Sequence, residues 1–316
     1  MNWKIAGILA VLVLTGVVAV ALLLPRQPES APSAKPPVAP PATSQPKRET
    51  PPEPATATPK VCRSPVPRPA VLPKAIQTAL SEDKSITAKQ RGEGLAELAD
   101  RPKDEAMLEA LRWYIHQGEQ NPTLRNEAVK VLLTWHASFL VEDCLAMTRD
   151  EAQPESWRAW CPQYLEEHYR KHQDTPALDG LKATAGNNCA AVQAQAVFCA
   201  VRLARDFKWT ADSHPETYTW LKARLEEGLK SSEPRLQENA AVGIGELGLK
   251  EYAPQLEELA GNEKASLTVR VSAVRALIQI GRPESLPPLE RLSQGSSPAL
   301  AQVAKLAIQA IKKRNP

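Results

Sequence analysis

Glycine is scarce in this 316-residue chain, at 14 residues, and the sequence is read as having neither a Gly-x-Ser-x-Gly elbow nor a Gly-rich phosphate loop. That leaves no sequence basis for a hydrolase nucleophile or for a phosphate cradle. Aromatics are only 5% of the residues, although seven of them are Trp. Runs of Val, Ile and Tyr alternating with polar residues are missing, which argues against half-buried β-strands. The net charge of +3 is too small for the basic footprint of a nucleic-acid binder. Five cysteines, Cys62, Cys144, Cys161, Cys189 and Cys199, show none of the tight paired spacing of a zinc site.

What is abundant is proline, 29 residues, unevenly placed. The chain begins with an uncharged apolar run, Ile5–Leu24, behind Lys4. About 20 helical residues span a bilayer core of ~30 Å, so the run is expected to be a single membrane-spanning anchor over residues 1–24. A cleaved signal peptide is the alternative, with Ala19-Val20-Ala21 as its small-residue site. Either route exports the rest of the chain. Residues 25–73 then hold 16 prolines with Ala, Ser, Thr, Lys and Glu and almost no large apolar side chain. Such a stretch cannot bury enough surface to offset its ordering entropy. It is expected to be a disordered spacer of polyproline II character. Its net +4 would also suit anionic lipid or cell-wall polymer. An oxidising compartment would permit disulfides. Cys144 with Cys161, and Cys189 with Cys199, are the nearest pairs in sequence.

Residues 74–316 carry −2 and read as helix throughout. The segment 238–248, ENAAVGIGELG, reappears 33 residues later as VSAVRALIQIG at 271–281, and its pattern returns at 303–311. Upstream, 127–133 and 195–201 fit it, and Gly94 lies 34 residues before Ala128. Small residues at fixed points let helices approach; large apolar residues three and four further on fill a core. Amphipathic helices such as 253–259 and 286–292 precede these segments. The unit is a helical hairpin, about seven in all. The segment Thr268–Leu277 resembles the second helix of the HEAT-repeat family, in its short bacterial form related to phycobilisome lyase-like repeats. The resemblance is good over 233–316 and weaker over 74–230, where Pro154 and Pro162 disturb the third unit. It implies an all-α superhelical solenoid whose second helices line a concave binding surface.

Catalytic signals are thin. His168 and His172 are spaced to share one helix face and one metal. Tyr169 stands where the zincin pattern needs Glu, no third ligand is evident beyond Cys161 upstream, and the charged surroundings read as a solvated face. His136 and His116 read as interior or rim residues. Iron-binding enzymes of HEAT type use His-Glu pairs, and no His here precedes Glu. The expectation is therefore a non-enzymatic protein-interaction scaffold without cofactor, metal, nucleic acid or small-molecule substrate. It would stand in the periplasm on an inner-membrane anchor and bind envelope proteins. An enzyme using the Trp- and His-rich centre, and a cell-wall binder, are the alternatives. Candidate partner-binding residues are Trp113, Trp135, Trp157 and Trp160, as anchors where exposed and with core packing as the alternative for about half of the aromatics, together with Arg270 and with Lys130, Arg202, Arg275 and Gln279 pointing outward from second helices. Arg270 and Arg275 are candidates for a basic stripe on the concave face, with an ordinary charged solvated face as the alternative.

Overall fold

The computed structural model describes residues 66–315 apart from 82, 119 and 120. The apolar run Ile5–Leu24, residues 25–65 of the Pro-rich stretch and Cys62 lie outside the described residues. No helix among the described residues is long and apolar enough to cross a membrane.

The body's prolines mostly begin helices rather than interrupt them. Pro122, Pro215, Pro234 and Pro298 each occupy the first helical position, where the missing N–H would have had no partner and the fixed φ is already helical. Side-chain caps satisfy other orphan donors. Asn121 accepts from the Thr123 amide at 2.9 Å, Asp104 from that of Ala106 at 2.8 Å, and Thr87 with Gln90 forms a capping box. The third unit contains the exception: one helix continues through Pro162 from residue 155 to 172.

Among the described residues there are fourteen α-helices and no strand. They pair into seven hairpins: α1 (Lys74–Leu80) with α2 (Ala88–Ala96), α3 (Glu105–Trp113) with α4 (Pro122–Thr134), and α5 (Leu140–Arg149) with α6 (Glu155–His172). Then come α7 (Thr175–Thr184) with α8 (Ala190–Asp206), α9 (Pro215–Lys230) with α10 (Pro234–Glu246), α11 (Ala253–Gly261) with α12 (Leu267–Ile280), and α13 (Leu286–Ser293) with α14 (Pro298–Arg314). The even-numbered helices stack on one another along the array. Their apolar sides, with those of the odd helices, make one continuous core running from Leu72 to Ile311. The folded body thus starts earlier than composition suggests. Leu72 is buried, Val66 packs on the core, and the Arg68 guanidinium sits 5.3 Å from the centre of the Trp113 ring. These residues sit at the end of the expected spacer, yet they cap the apolar face of the first hairpins.

Small residues set the closest approaches. A Cβ on Gly245 would stand 2.9 Å from the Cα of Ala276, so α10 and α12 meet backbone to backbone. Contrary to the reading that no Gly-rich loop is present, Gly243-Ile244-Gly245-Glu246-Leu247-Gly248 has the G-x-G-x-x-G spacing of a dinucleotide loop. Here its first two glycines lie inside α10, and Gly248 closes that helix in the left-handed region at φ +67°. The Leu249 amide then reaches back to the Ile244 carbonyl at 3.1 Å. That is the Schellman arrangement in which glycine avoids the Cβ clash. Two other even helices end the same way without glycine: α4 at His136 (φ +50°) and α8 at Lys208 (φ +54°), with return bonds Ala137 to Leu132 and Trp209 to Ala204.

Two glycine substitutions separate packing from propensity. Gly245→Ala gains helix propensity but drives its methyl into immovable backbone, and should lose a net ~1–2 kcal/mol. Gly94→Ala, with nothing within 4 Å of its new methyl, should gain ~0.5–1 kcal/mol. Urea unfolding of the two variants against the parent checks both signs.

Candidate functional site

The aromatic residues considered as surface anchors are interior instead. Trp113 and Trp135 are 8% exposed and Trp157 is 2% exposed, while Trp160 packs half-buried against the core. Two of the indole donors are satisfied inside: Trp135 Nε1 donates to the Arg101 carbonyl at 3.2 Å and Trp157 Nε1 to Met147 Sδ at 3.3 Å. The reason is local. Few backbone atoms of α4 approach α6, the sparsest of the even-helix junctions. Long side chains span it. The buried Arg125 of α4 lies 4.2 Å over the Trp157 ring and donates to the Ile115 carbonyl and to Gln153. Tyr164 donates to Asn126 at 3.0 Å. Trp160 and Tyr164 flank Trp157 at ring separations of 6.1 and 5.7 Å.

The same seam holds a buried ion group. Asp143 of α5 is fully enclosed and takes a two-pronged contact from Arg112 of α3, at 2.7 and 2.8 Å, with His116 Nε2 3.2 Å away. Burial alone would raise the Asp143 carboxyl; His116 and Arg112 outweigh it and hold the carboxyl below its ordinary range.

Further along, the even helices are linked by a charge ladder. The buried Glu166 of α6 accepts from Arg170 at 2.7 and 2.9 Å and lies 3.1 Å from Arg202 of α8. Arg170 continues to Asp206, and Arg205 joins Asp206 to Glu246 of α10. Burial would raise Asp206, but Arg205 and Arg170 bring it below its usual value. Arg202 therefore belongs to the ladder. Arg270 is also turned inward, donating to the Ala260 carbonyl at 2.9 Å, so the candidate stripe with Arg275 does not form. Lys130 is exposed and paired with Glu127 at 2.7 Å on its own helix. Arg275 and Gln279 are exposed on α12, and Leu306, one repeat further on α14, is 50% exposed.

All four described cysteines are free thiols. Cys144 and Cys161 do come together, each buried, and the hydrogen bond with the Cys161 thiol, followed by burial, pushes Cys144 well above its ordinary range. Cys189 and Cys199 stand ten residues apart at the start and middle of α8, roughly 15 Å of rise that no disulfide bridges.

The histidines depart most from expectation. His168 is 2% exposed rather than on a solvated face. The third partner missing from the sequence pattern is His136, just past the end of α4. The rings of His136 and His172 stack at 3.7 Å, and those of His168 and His172 lie 4.7 Å apart. One ring nitrogen from each of the three falls within 4.8 Å of the others. His168 Nδ1 is 3.2 Å from Asp174 Oδ1. Burial pushes the His168 imidazole below its ordinary pKa despite Asp174. Beside this cluster, Tyr169 packs edge-on against Phe207 and Trp209.

The family model for HEAT repeats matches residues 221–312. Residues 221–312 thus match HEAT repeats. Its solved relatives in shape are distant in sequence. A chain in a structure of Kap95p bound to RanGDP is 13% identical at a TM-score of 0.50, over 75% of this chain and 34% of that one. A designed armadillo-repeat protein is 17% identical at 0.41, over 69% and 98%. Human deoxyhypusine hydroxylase in complex with glycerol is 14% identical at 0.33, over 76% and 95%. No curated protein sequence matches significantly. The likeness at 0.50 speaks to fold alone, and it agrees with the stacked helical hairpins.

The Asp143 group gives a pH-dependent test. Arg112→Met should cost about 3 kcal/mol at neutral pH, the low end for unpairing a buried charge because Arg112 is itself 33% exposed. A carboxyl with a depressed folded pKa adds stability above its unfolded pKa of ~3.9 and loses it as pH falls through the folded value. The gap between variant and parent should accordingly narrow below about pH 4, read by denaturant midpoints across pH.

Proposed function

We propose that this HEAT array is a non-enzymatic scaffold for protein partners, displayed from a bacterial inner membrane into the periplasm on its Pro-rich tether. The observation that carries the reading is the stack of even-numbered helices from α6 to α14, joined without a break by close packing and by the Glu166-to-Glu246 ladder. A stack of this kind offers a surface much longer than any single hairpin and rigid enough to present side chains in register. Display from the membrane is supported by the uncharged run Ile5–Leu24 and the proline content of residues 25–73. Envelope proteins are the partner class that such a placement would meet.

Of the residues first considered as contacts, Arg275 and Gln279 remain available, and Leu306 joins them from the next repeat. Arg is among the side chains enriched in binding hot spots, and Leu306 adds exposed apolar area from the next repeat. The tryptophans and Arg270 serve instead to hold the array together.

Crosslinking in intact membranes followed by capture of the full chain tests this reading. Arg275→Glu with Leu306→Asp should lower recovery of the crosslinked partner about 10-fold or more, with the helical circular dichroism unchanged. Unchanged recovery from the double variant would reject this face.

A further inference from the structure

We propose that His136, His168 and His172 are the ligands of a divalent transition-metal site, suited to zinc, that clips the second hairpin to the third. The proposal does not rest on the scaffold reading.

Four observations converge on the cluster. The first is the donor set. Zinc takes imidazole nitrogens at ~2.0–2.1 Å in tetrahedral geometry, so three ligand nitrogens within 4.8 Å of one another need only small side-chain rotations to close on one ion. The second is an unsatisfied atom. His172 Nε2 is buried with no hydrogen-bond partner, a condition that buried polar atoms rarely keep. A metal ion would satisfy it. The third is Asp174. It stands at the N-cap of α7, where an aspartate ordinarily accepts the orphan amides of the first turn, yet it makes no capping bond. Its carboxylate is turned to His168 Nδ1 instead, which leaves the other nitrogen of that ring for an ion. A carboxylate behind a ligating histidine fixes the ring and strengthens it as a donor. The fourth is the backbone at His136. The position closing α4 is left-handed, as is its counterpart Gly248 at the end of α10. Glycine would be the easier residue there, and a histidine is held in its place. Gln173, directly after His172, is left-handed too, at φ +51°.

The location gives the site a purpose. His136 follows α4, whereas His168 and His172 lie on the last turns of α6, so one ion would tie together the two even helices whose backbones meet least. His168 is buried, so its ring is held in place by the surrounding core. His136 is exposed, which leaves a path for the ion to enter and a fourth position for water.

The test uses the full chain in detergent, stripped with a chelator and then titrated with Zn²⁺ against a chromophoric competitor. Co²⁺ serves as a spectroscopic stand-in. About one equivalent should bind, with tetrahedral cobalt absorption and a rise in the melting temperature. The deciding variant is His136→Gly. A histidine present only for packing would gain nothing from metal, and its replacement would leave zinc binding unchanged. A ligand histidine replaced by glycine should lose the zinc-dependent rise and the cobalt bands, while the metal-free protein melts no lower than the parent. Asp174→Ala should weaken binding by ~10–100-fold. Substoichiometric zinc in the parent, or zinc binding that survives His136→Gly, overturns the proposal.

Discussion

No hairpin in this chain can bury its own apolar face. Each even-numbered helix is covered on one flank by the odd helix of its hairpin and on the others by even helices of adjoining repeats. Stability is therefore a sum of hairpin terms and neighbour terms, and the neighbour terms are set by what stands at each junction. Between α10 and α12 the junction is glycine against alanine, with backbones nearly touching. Between α4 and α6 it is arginine over tryptophan, tyrosine to asparagine, and three histidines. One solution uses small residues and close approach, the other uses long side chains across a wider gap.

That difference explains why the middle of the chain looks least like a repeat. A junction built from large polar and aromatic side chains loses the small-residue signature by which repetition is recognised. Buried Asp143, Arg125 and His168 are compatible with a core only because each has a specific partner, and this makes the seam demanding of geometry as well as rich in chemistry.

Much of the architecture is legible in the residues alone. The 33-residue recurrence of small and large apolar residues sets the hairpin and its number, because stacking demands the same side-chain sizes at every repeat. Prolines and capping residues mark the starts of helices for equally local reasons. The candidate contacts are less legible. Trp113, Trp135 and Trp157 are candidate contacts because Trp is frequent in binding hot spots, yet a Trp is as well suited to the core, and the N–H groups of Trp135 and Trp157 find a carbonyl and a sulfur inside. Arg270 is a candidate for a stripe with Arg275, but a long side chain can fold back to the preceding helix end, as this one does. His136 cannot be joined to His168 by spacing along one helix, since it sits a repeat away. A signal exists all the same: aligning the helix ends places His136 beside Lys208 and Gly248, a position where a side chain costs energy.

The central question is whether neighbouring hairpins lend one another stability unequally along the array. Hydrogen exchange of the metal-free protein measures this amide by amide. Amides of α8, α10 and α12 should exchange slowly together, while those of α2 to α4 should open as a separate and less protected unit at the α4–α6 seam. A single opening free energy shared by the whole body, from α2 through α14, would contradict it.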